Sequence, residues 1–391
     1  MRKHIAYVLV IIGILGFLFT LYVNSKYADL TRTFSPKTLL AASWIRYKDQ
    51  FINQDGRVID NSQEDFTTSE GQSYALLRAV WIDDRESFNR IWTWTKQNLK
   101  RDEDNLFGWR WGKIEGKNYG FLPNGGINSA SDADTDIALS LILASRRWEN
   151  PSYQTESLEI LKDIWDKETQ EVGGRRYLIA GNWAKNEDTL IINPSYFAPY
   201  AWKIFAEVDQ ENDWNSLIDP AYELLDRSGR EKLDRPRGVG LPPDWMSLNR
   251  KNGEIKEAGL KGMNTTYSYD ALRVPWRIAL DWQWNKDEKA RVYLSAAFNK
   301  LIDHLHKDGK LVESYSHEGE ELSEKESPAL YATSLGFLSV KNPDLAKKIY
   351  EEKIIKLYSN DEDSFNQELP YYEKNWLWFG VALYNGQLPK L

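Results

Sequence analysis

The sequence predicts an all-α chain: six helical hairpins arranged as a double ring, preceded by one N-terminal transmembrane helix. Three observations lead there. From about Ser35 onward apolar residues recur at three- and four-residue spacing, with hardly any convincing run of period two. The periodic segments number twelve and fall into pairs with mostly short internal connections. The first residues, by contrast, form one continuous apolar run.

That run extends from Ile5 to Val23, IAYVLVIIGILGFLFTLYV, after the basic start Met1-Arg2-Lys3-His4. It approaches the ~20 residues that cross a bilayer as a helix and exceeds a usual signal-peptide core. The basic residues before it favour a cytoplasmic N-terminus, which places everything beyond Val23 outside the cytoplasm. Its length favours an uncleaved anchor in the cell membrane over secretion after cleavage, for which Val23 and Ser25 would supply the small residues. Residues 1–23 are therefore read as a signal anchor, 24–34 as a linker, and 35–391 as one large domain.

The helices expected within that domain are 37–54, 69–82, 84–100, 132–148, 151–168, 194–209, 212–229, 267–283, 286–307, 326–339, 342–358 and 371–385. Ser35-Pro36, Asn193-Pro194 and Ser327-Pro328 each set a capping side chain before a proline suited to a first helical turn. If the hairpins close on themselves, even-numbered helices form an inner ring whose N-termini open on one face. A helical solenoid or open bundle is the competing architecture, since no exact repeat enforces closure. Long Gly-, Asn- and Asp-rich loops precede the fourth, sixth and eighth helices, and loops on one side of a rigid scaffold are where sites are built.

Composition narrows the chemistry. With 42% hydrophobic and 28% charged residues the chain is globular. A net charge of -8 argues against nucleic acid as partner, because phosphate binding needs a cationic surplus. The absence of cysteine removes disulfides, thiolate metal sites and cysteine nucleophiles. His4, His304, His306 and His317 offer no metal-ligand spacing, and His304 and His306, two apart, diverge on a helix and read as surface residues. No metal and no cofactor is expected. The 17 Trp and 21 Tyr suit either sugar stacking or core packing; Trp92 and Trp94, inside an outer helix, read as packing.

Three acidic clusters stand at starts of inner helices: Ser69-Glu70-Gly71, Ser131-Asp132-Ala133-Asp134-Thr135-Asp136 and Ser268-Tyr269-Asp270. Helix capping accounts for any one of them alone, but three at alternate helices, each among aromatics, point to a site. Asp132, Asp134 and Asp136 have the opening spacing of a calcium loop, yet Ile137 and Leu143 stand where such a loop needs Gly and Glu. Cleaving a glycosidic bond needs one protonated carboxyl for the leaving oxygen and one ionised carboxylate to activate water or to attack the sugar. Glu70, beside Gly71, Tyr74, Ala75 and Leu76, suits the acid, and Asp270, one turn from Arg273, suits the base. Residue types alone leave inversion and retention both open.

The stretch Ala130 to Ala144, ASDADTDIALSLILA, closing with Trp148, resembles the signature of glycoside hydrolase family 8. Ser69-Glu70-Gly71 resembles the segment carrying that family's general acid, and Tyr269-Asp270-Ala271-Leu272-Arg273-Val274-Pro275-Trp276-Arg277 the segment carrying its base. The likeness runs from about Leu39 to Gly386. It implies an (α/α)6 barrel, inversion at the anomeric carbon, and Asp132 as the third acid, holding the distorted sugar at the cleavage point. The presence of Asp270 directs the resemblance to the cellulase and xylanase branch, because lichenan and chitosan branches commonly lack it. SEGQSYA, Trp109 to Lys113, Asn193 to Phe197 and Pro243-Asp244-Trp245 look most like endoglucanases that accompany bacterial cellulose synthesis, which suggests a polysaccharide synthesis or secretion complex as partner.

The expected activity is thus endo-cleavage of a β-1,4-glucan, with xylan or another exopolysaccharide as the alternative polymer. A non-catalytic carbohydrate-binding scaffold is the alternative of another class. Trp109, Trp111, Tyr196, Tyr269, Arg273 and Tyr372 are the expected substrate-binding residues.

Overall fold

Ser35 accepts a hydrogen bond from the Thr38 amide (3.2 Å), and Ser327 one from Leu330 (3.1 Å), so two of the expected start signals cap helices. In the computed structural model, which describes residues 35–391 except 63, 115, 117, 235, 360 and 367, the helices are α1 Pro36–Phe51, α2 Ser69–Ile82, α3 Arg85–Asn98, α4 Ser131–Arg147, α5 Pro151–Asp163, α6 Pro199–Val208, α7 Ile218–Arg230, α8 Val274–Asn285, α9 Glu288–Ala296, α10 Asn299–Lys307, α11 Pro328–Lys341, α12 Pro343–Ile349 and α13 Tyr371–Tyr384. The apolar run and the linker lie outside the described residues; among the described residues no helix is long and apolar enough to cross a membrane.

An inner ring runs α2, α4, α6, α8, α11, α13, each packed on the next. Tyr74 closes it, its ring edge-on to Trp376 (5.5 Å) and Phe379 (5.4 Å), and Arg78 donates to Asn375 (3.2 Å). Ring membership follows from burial. Every residue of α4 from Ser131 to Ser145 is buried, as a helix covered on all sides requires. Outer α7 instead buries Ile218, Ala221, Leu224 and Leu225 and exposes Asp219, Glu223 and Asp226. Glycine allows the closest inner contacts: a Cβ on Gly380 of α13 would lie 2.5 Å from the Ala332 carbonyl of α11, and one on Gly336 of α11 would lie 2.4 Å from the Pro275 carbonyl of α8.

Two expectations need correction. The helix expected over 286–307 is broken into α9 and α10, because Phe298 adopts a left-handed φ of 63°. Its ring is buried and stacks on Phe337 of α11 at 4.9 Å, which compensates for the backbone cost. Asn193-Pro194 opens only the 3-10 turn Pro194–Tyr196, and the helix proper starts at Pro199. Short strands also escaped the sequence reading, since two to four residues are too few to show alternation. Antiparallel β1 Thr67–Thr68, β2 Arg110–Lys113 and β3 Tyr119–Phe121 form one sheet. After the hairpin β4 Thr169–Val172 and β5 Arg175–Leu178, a second sheet comprises β6 Thr189–Ile192, β7 Met246–Asn249 and β8 Ile255–Lys256. The two three-stranded sheets flank the mouth of the inner ring.

Candidate active site

The N-termini of the inner helices converge on a cleft of about 520 Å³ lined by Glu70, Trp109, Asp132, Tyr196, Trp245, Tyr269, Asp270 and Tyr372, among others. Glu70 and Asp132 lie in the first turns of α2 and α4, and Asp270 begins the 3-10 turn Ala271–Arg273 that leads into α8. The β1–β2–β3 sheet carries Trp109, whose carbonyl accepts from the Ser69 amide at 3.1 Å and so ties that wall to α2. Opposite, Trp245 precedes β7 and Tyr196 follows β6.

Beneath the cleft Arg273 joins all three carboxyls. Its Nη1 donates to Glu70 and, at 2.9 Å, to Asp132, while its Nη2 donates to Asp270 at 2.5 Å. The Arg273 side chain is 1% exposed and its guanidinium faces the Tyr196 ring at 5.3 Å. Arg273, expected both to hold Asp270 and to bind substrate, does hold Asp270; it is a buried cation whose donors are occupied by carboxyls, as the cost of burying an unpaired charge demands.

The two outer members of this trio have different surroundings. Burial pushes the Glu70 carboxyl up to about 7; Arg273 draws it down, and the nearby Asp132 and Asp270 push it up again. Glu70 therefore holds its proton close to neutrality. Asp270 accepts from two donors, Arg273 and the Trp245 indole N–H at 2.9 Å, which fixes the orientation of its carboxylate. Its backbone is set by Asp244, which accepts from the amides of Ser268 (3.1 Å), Asp270 (3.2 Å) and Ala271 (2.7 Å) and from the Thr266 hydroxyl (2.9 Å). Burial, with Asp270 adding, pushes Asp244 up to about 6 against those hydrogen bonds.

The Asp-rich start of α4 divides by helical geometry. Asp132 and Asp136, four apart, share a face and meet Arg273 and Arg277, themselves four apart on the path of α8. Arg277 grips Asp136 with two bonds of 3.0 and 2.8 Å and donates to Tyr200 at 2.7 Å. Asp134 faces away, accepts from the Phe107 amide at 3.0 Å, and meets Glu168. Burial pushes both carboxyls up, Glu168 to about 8 and Asp134, which the neighbouring Glu168 raises further, well above the carboxylate range. None of these contacts has the form of a calcium loop.

Of the expected binding residues, Trp109, Tyr196, Tyr269 and Tyr372 line the cleft. The Tyr372 hydroxyl donates to the Tyr269 carbonyl, and the Tyr269 hydroxyl to Glu313 at 2.8 Å. Trp111 lies outside this lining: its ring packs edge-on to Trp94 (5.0 Å), stacks on Tyr119 (5.2 Å) and lies under Arg57 (4.7 Å). Trp92 and Trp94 are buried packing residues, as expected. The cleft continues into a second hollow of about 280 Å³ that shares Trp109, Tyr196 and Trp245 and adds Trp183 and Asn128. Sequence reasoning assigned no function to Trp183, and neither the capping role of Asp244 nor the bond from Trp245 to Asp270 was readable in irregular loops. The sequence marked Pro243-Asp244-Trp245 only as a segment that resembles endoglucanases, without a role for either side chain.

A family model described as Glycosyl hydrolases family 8 matches residues 20–376. Endoglucanase C of Ruminiclostridium cellulolyticum is 30% identical over 390 residues, covering 95% of this chain and 76% of that one. An endoglucanase of Cellulomonas uda is 33% identical over 245 residues; the match spans 62% of this chain and 64%, just under two thirds, of that relative. Among solved structures, the endo-beta-1,4-glucanase CMCax from Acetobacter xylinum superposes with a TM-score of 0.71 at 23% identity, covering 90% of this chain and 99% of that one, which supports the barrel fold.

Proposed function

The chain belongs to glycosyl hydrolases family 8, and on that premise we propose that it cleaves β-1,4-glucan chains at internal bonds with inversion, Glu70 acting as general acid and Asp270 as general base. One observation carries the reading: a carboxyl that keeps its proton to about pH 7 and a doubly hydrogen-bonded carboxylate sit at one open cleft, joined by a single buried guanidinium.

In the reaction Asp270 takes a proton from water as the water oxygen bonds to the anomeric carbon. Glu70 gives its proton to the departing glycosidic oxygen as that C–O bond breaks. Asp132, with one oxygen on the Ala133 amide (2.9 Å) and the other on Arg273, offers its remaining lone pairs to hydroxyls of the sugar at the cleavage point. Afterwards Glu70 is ionised and Asp270 protonated, and exchange with solvent restores both. The groove formed by the two joined hollows, with Trp109, Trp183 and Trp245 along it, suits several consecutive sugar rings and hence internal cleavage.

Replacing Glu70 by Gln, or Asp270 by Asn, is expected to lower kcat on carboxymethyl cellulose by at least about a thousandfold with the fold intact. Wild-type turnover in either variant contradicts its assignment. The apolar run between basic Arg2-Lys3 and polar Asn24-Ser25 supports a membrane anchor with the barrel on the outer side. Fractionation of cells producing the full chain tests this: activity is expected with membranes and accessible from outside, and activity in the soluble fraction counts against the anchor.

A further inference from the structure

On the flank of the barrel, the end of α10 and the following loop place three ligand atoms together. Histidine 304 is nine-tenths buried. Its Nε2 lies 2.9 Å from the Gly319 carbonyl, an acceptor only, so Nε2 carries the proton and Nδ1 presents its lone pair. That lone pair faces Glu321 Oε1 at 3.3 Å and Asp308 Oδ2 at 3.9 Å. All three atoms lie within 4.8 Å of one another. Glu321 Oε1 is itself buried and has no hydrogen-bond donor.

Three facing acceptors repel unless something positive sits among them. A second ring proton serves one carboxylate at a time, and Lys307 and Lys310 approach Asp308 and Glu321 only to 3.7 and 3.4 Å, whereas a divalent ion among the three atoms serves all of them. We propose that His304, Asp308 and Glu321 form a binding site for a divalent transition-metal ion of the zinc type. Ligands about 2.0–2.1 Å from zinc in a tetrahedral array lie roughly 3.3–3.4 Å apart, which the His304 to Glu321 separation already matches. Asp308, exposed and within 4.8 Å of the Glu321 oxygen, has to swing inward on both partners to complete the array, and it is the residue just beyond the last turn of α10, where the helix carbonyls favour a cation.

Two lysines stand nearby. Lys310 lies 3.4 Å from Glu321 Oε2, the oxygen turned from the imidazole, and Lys307, 3.7 Å from Asp308, is 80% exposed and free to swing out. Sequence spacing concealed the site because Glu321 comes from a separate loop, and the reading of His304 as a surface residue is corrected by its burial; His306 is exposed. The loop so clasped also holds Tyr315, which pairs with Tyr267, and Glu313, which accepts from Tyr269 at the cleft. The role is structural: the ion fastens the support of one cleft wall to α10.

The test is zinc titration of chelator-stripped full-length protein by calorimetry, with thermal unfolding alongside. One Zn2+ per chain is expected, with Tm raised by about 3–6 °C at saturation. Glu321→Gln and Asp308→Asn are each expected to weaken binding at least about tenfold with unchanged far-UV circular dichroism, and His304→Ala to abolish it. No saturable binding at about 100-fold excess zinc, or equal binding in Glu321→Gln and the parent, overturns the proposal. So does a zinc-treated sample whose His304 Nδ1 carries a proton by NMR.

Discussion

At the scale of single residues the site rests on giving two carboxyls opposite duties from one cation. Arg273 alone would favour the charged form of both, and it is burial, reinforced by two neighbouring carboxylates, that returns Glu70 to about 7. Activity should therefore fall as pH rises through about 7, the limb belonging to loss of the Glu70 proton, and a kcat/KM profile on a soluble glucan checks it. The same proton couples to stability. The folded chain holds it to about 7 and the unfolded chain loses it near 4.5, so folding stability declines as pH climbs through that window. Glu70→Gln lacks the titration and should unfold at higher denaturant than the parent at pH 8, by on the order of 1–3 kcal/mol, with the gap closing near pH 4. Trp245→Phe removes one of two donors to Asp270 and should cut kcat roughly tenfold to a hundredfold with less effect on KM, measured by steady-state kinetics. Glu70 and Asp270 were legible because acids at helix starts stand out against an apolar period, whereas Asp132 was singled out from Asp134 and Asp136 only by the family resemblance. Asp244 and Trp245 sit in loops without such a period, and of the three carboxyls on Arg273 only Asp270, one turn away in sequence, was readable as its partner, because Glu70 and Asp132 come from other helices.

At the scale of elements, the pairing of α4 with α8 positions the chemistry. Two arginines four apart meet two aspartates four apart, one pair at the cleft floor and the other a turn deeper. Asp136→Ala leaves Arg277 buried without its partner and should cost about 3–5 kcal/mol by urea denaturation, a larger loss than a surface aspartate gives. The approach of α13 to α11 is equally exacting: Gly380→Ala drives a methyl to 2.5 Å from the Ala332 carbonyl and should cost about 1–3 kcal/mol in the same assay. Element existence was readable from period, and the bounds of α2 agree residue for residue with the segment expected over 69–82. What period could not reveal was tertiary override, as where Phe298 breaks a regular helical pattern to stack on Phe337.

At the scale of the molecule, the double ring turns the N-terminal ends of α2, α4, α8 and α13 toward one cleft, and parity of the hairpins made that face predictable before any contact was known. The Trp-rich composition divides between two ends: Trp276, Trp376 and Trp378 pack the barrel interior, whereas Trp109, Trp183 and Trp245 line the groove. Trp183→Ala should raise KM about tenfold on long glucan chains and little on short oligosaccharides, since it stands away from the carboxyls. The most direct test of the central claim is proton NMR of the first sugar released from a β-1,4-linked cello-oligosaccharide. With Asp270 activating water and no covalent intermediate, the new reducing end appears first as the α-anomer and then mutarotates. A β-anomer at the earliest times would contradict the account.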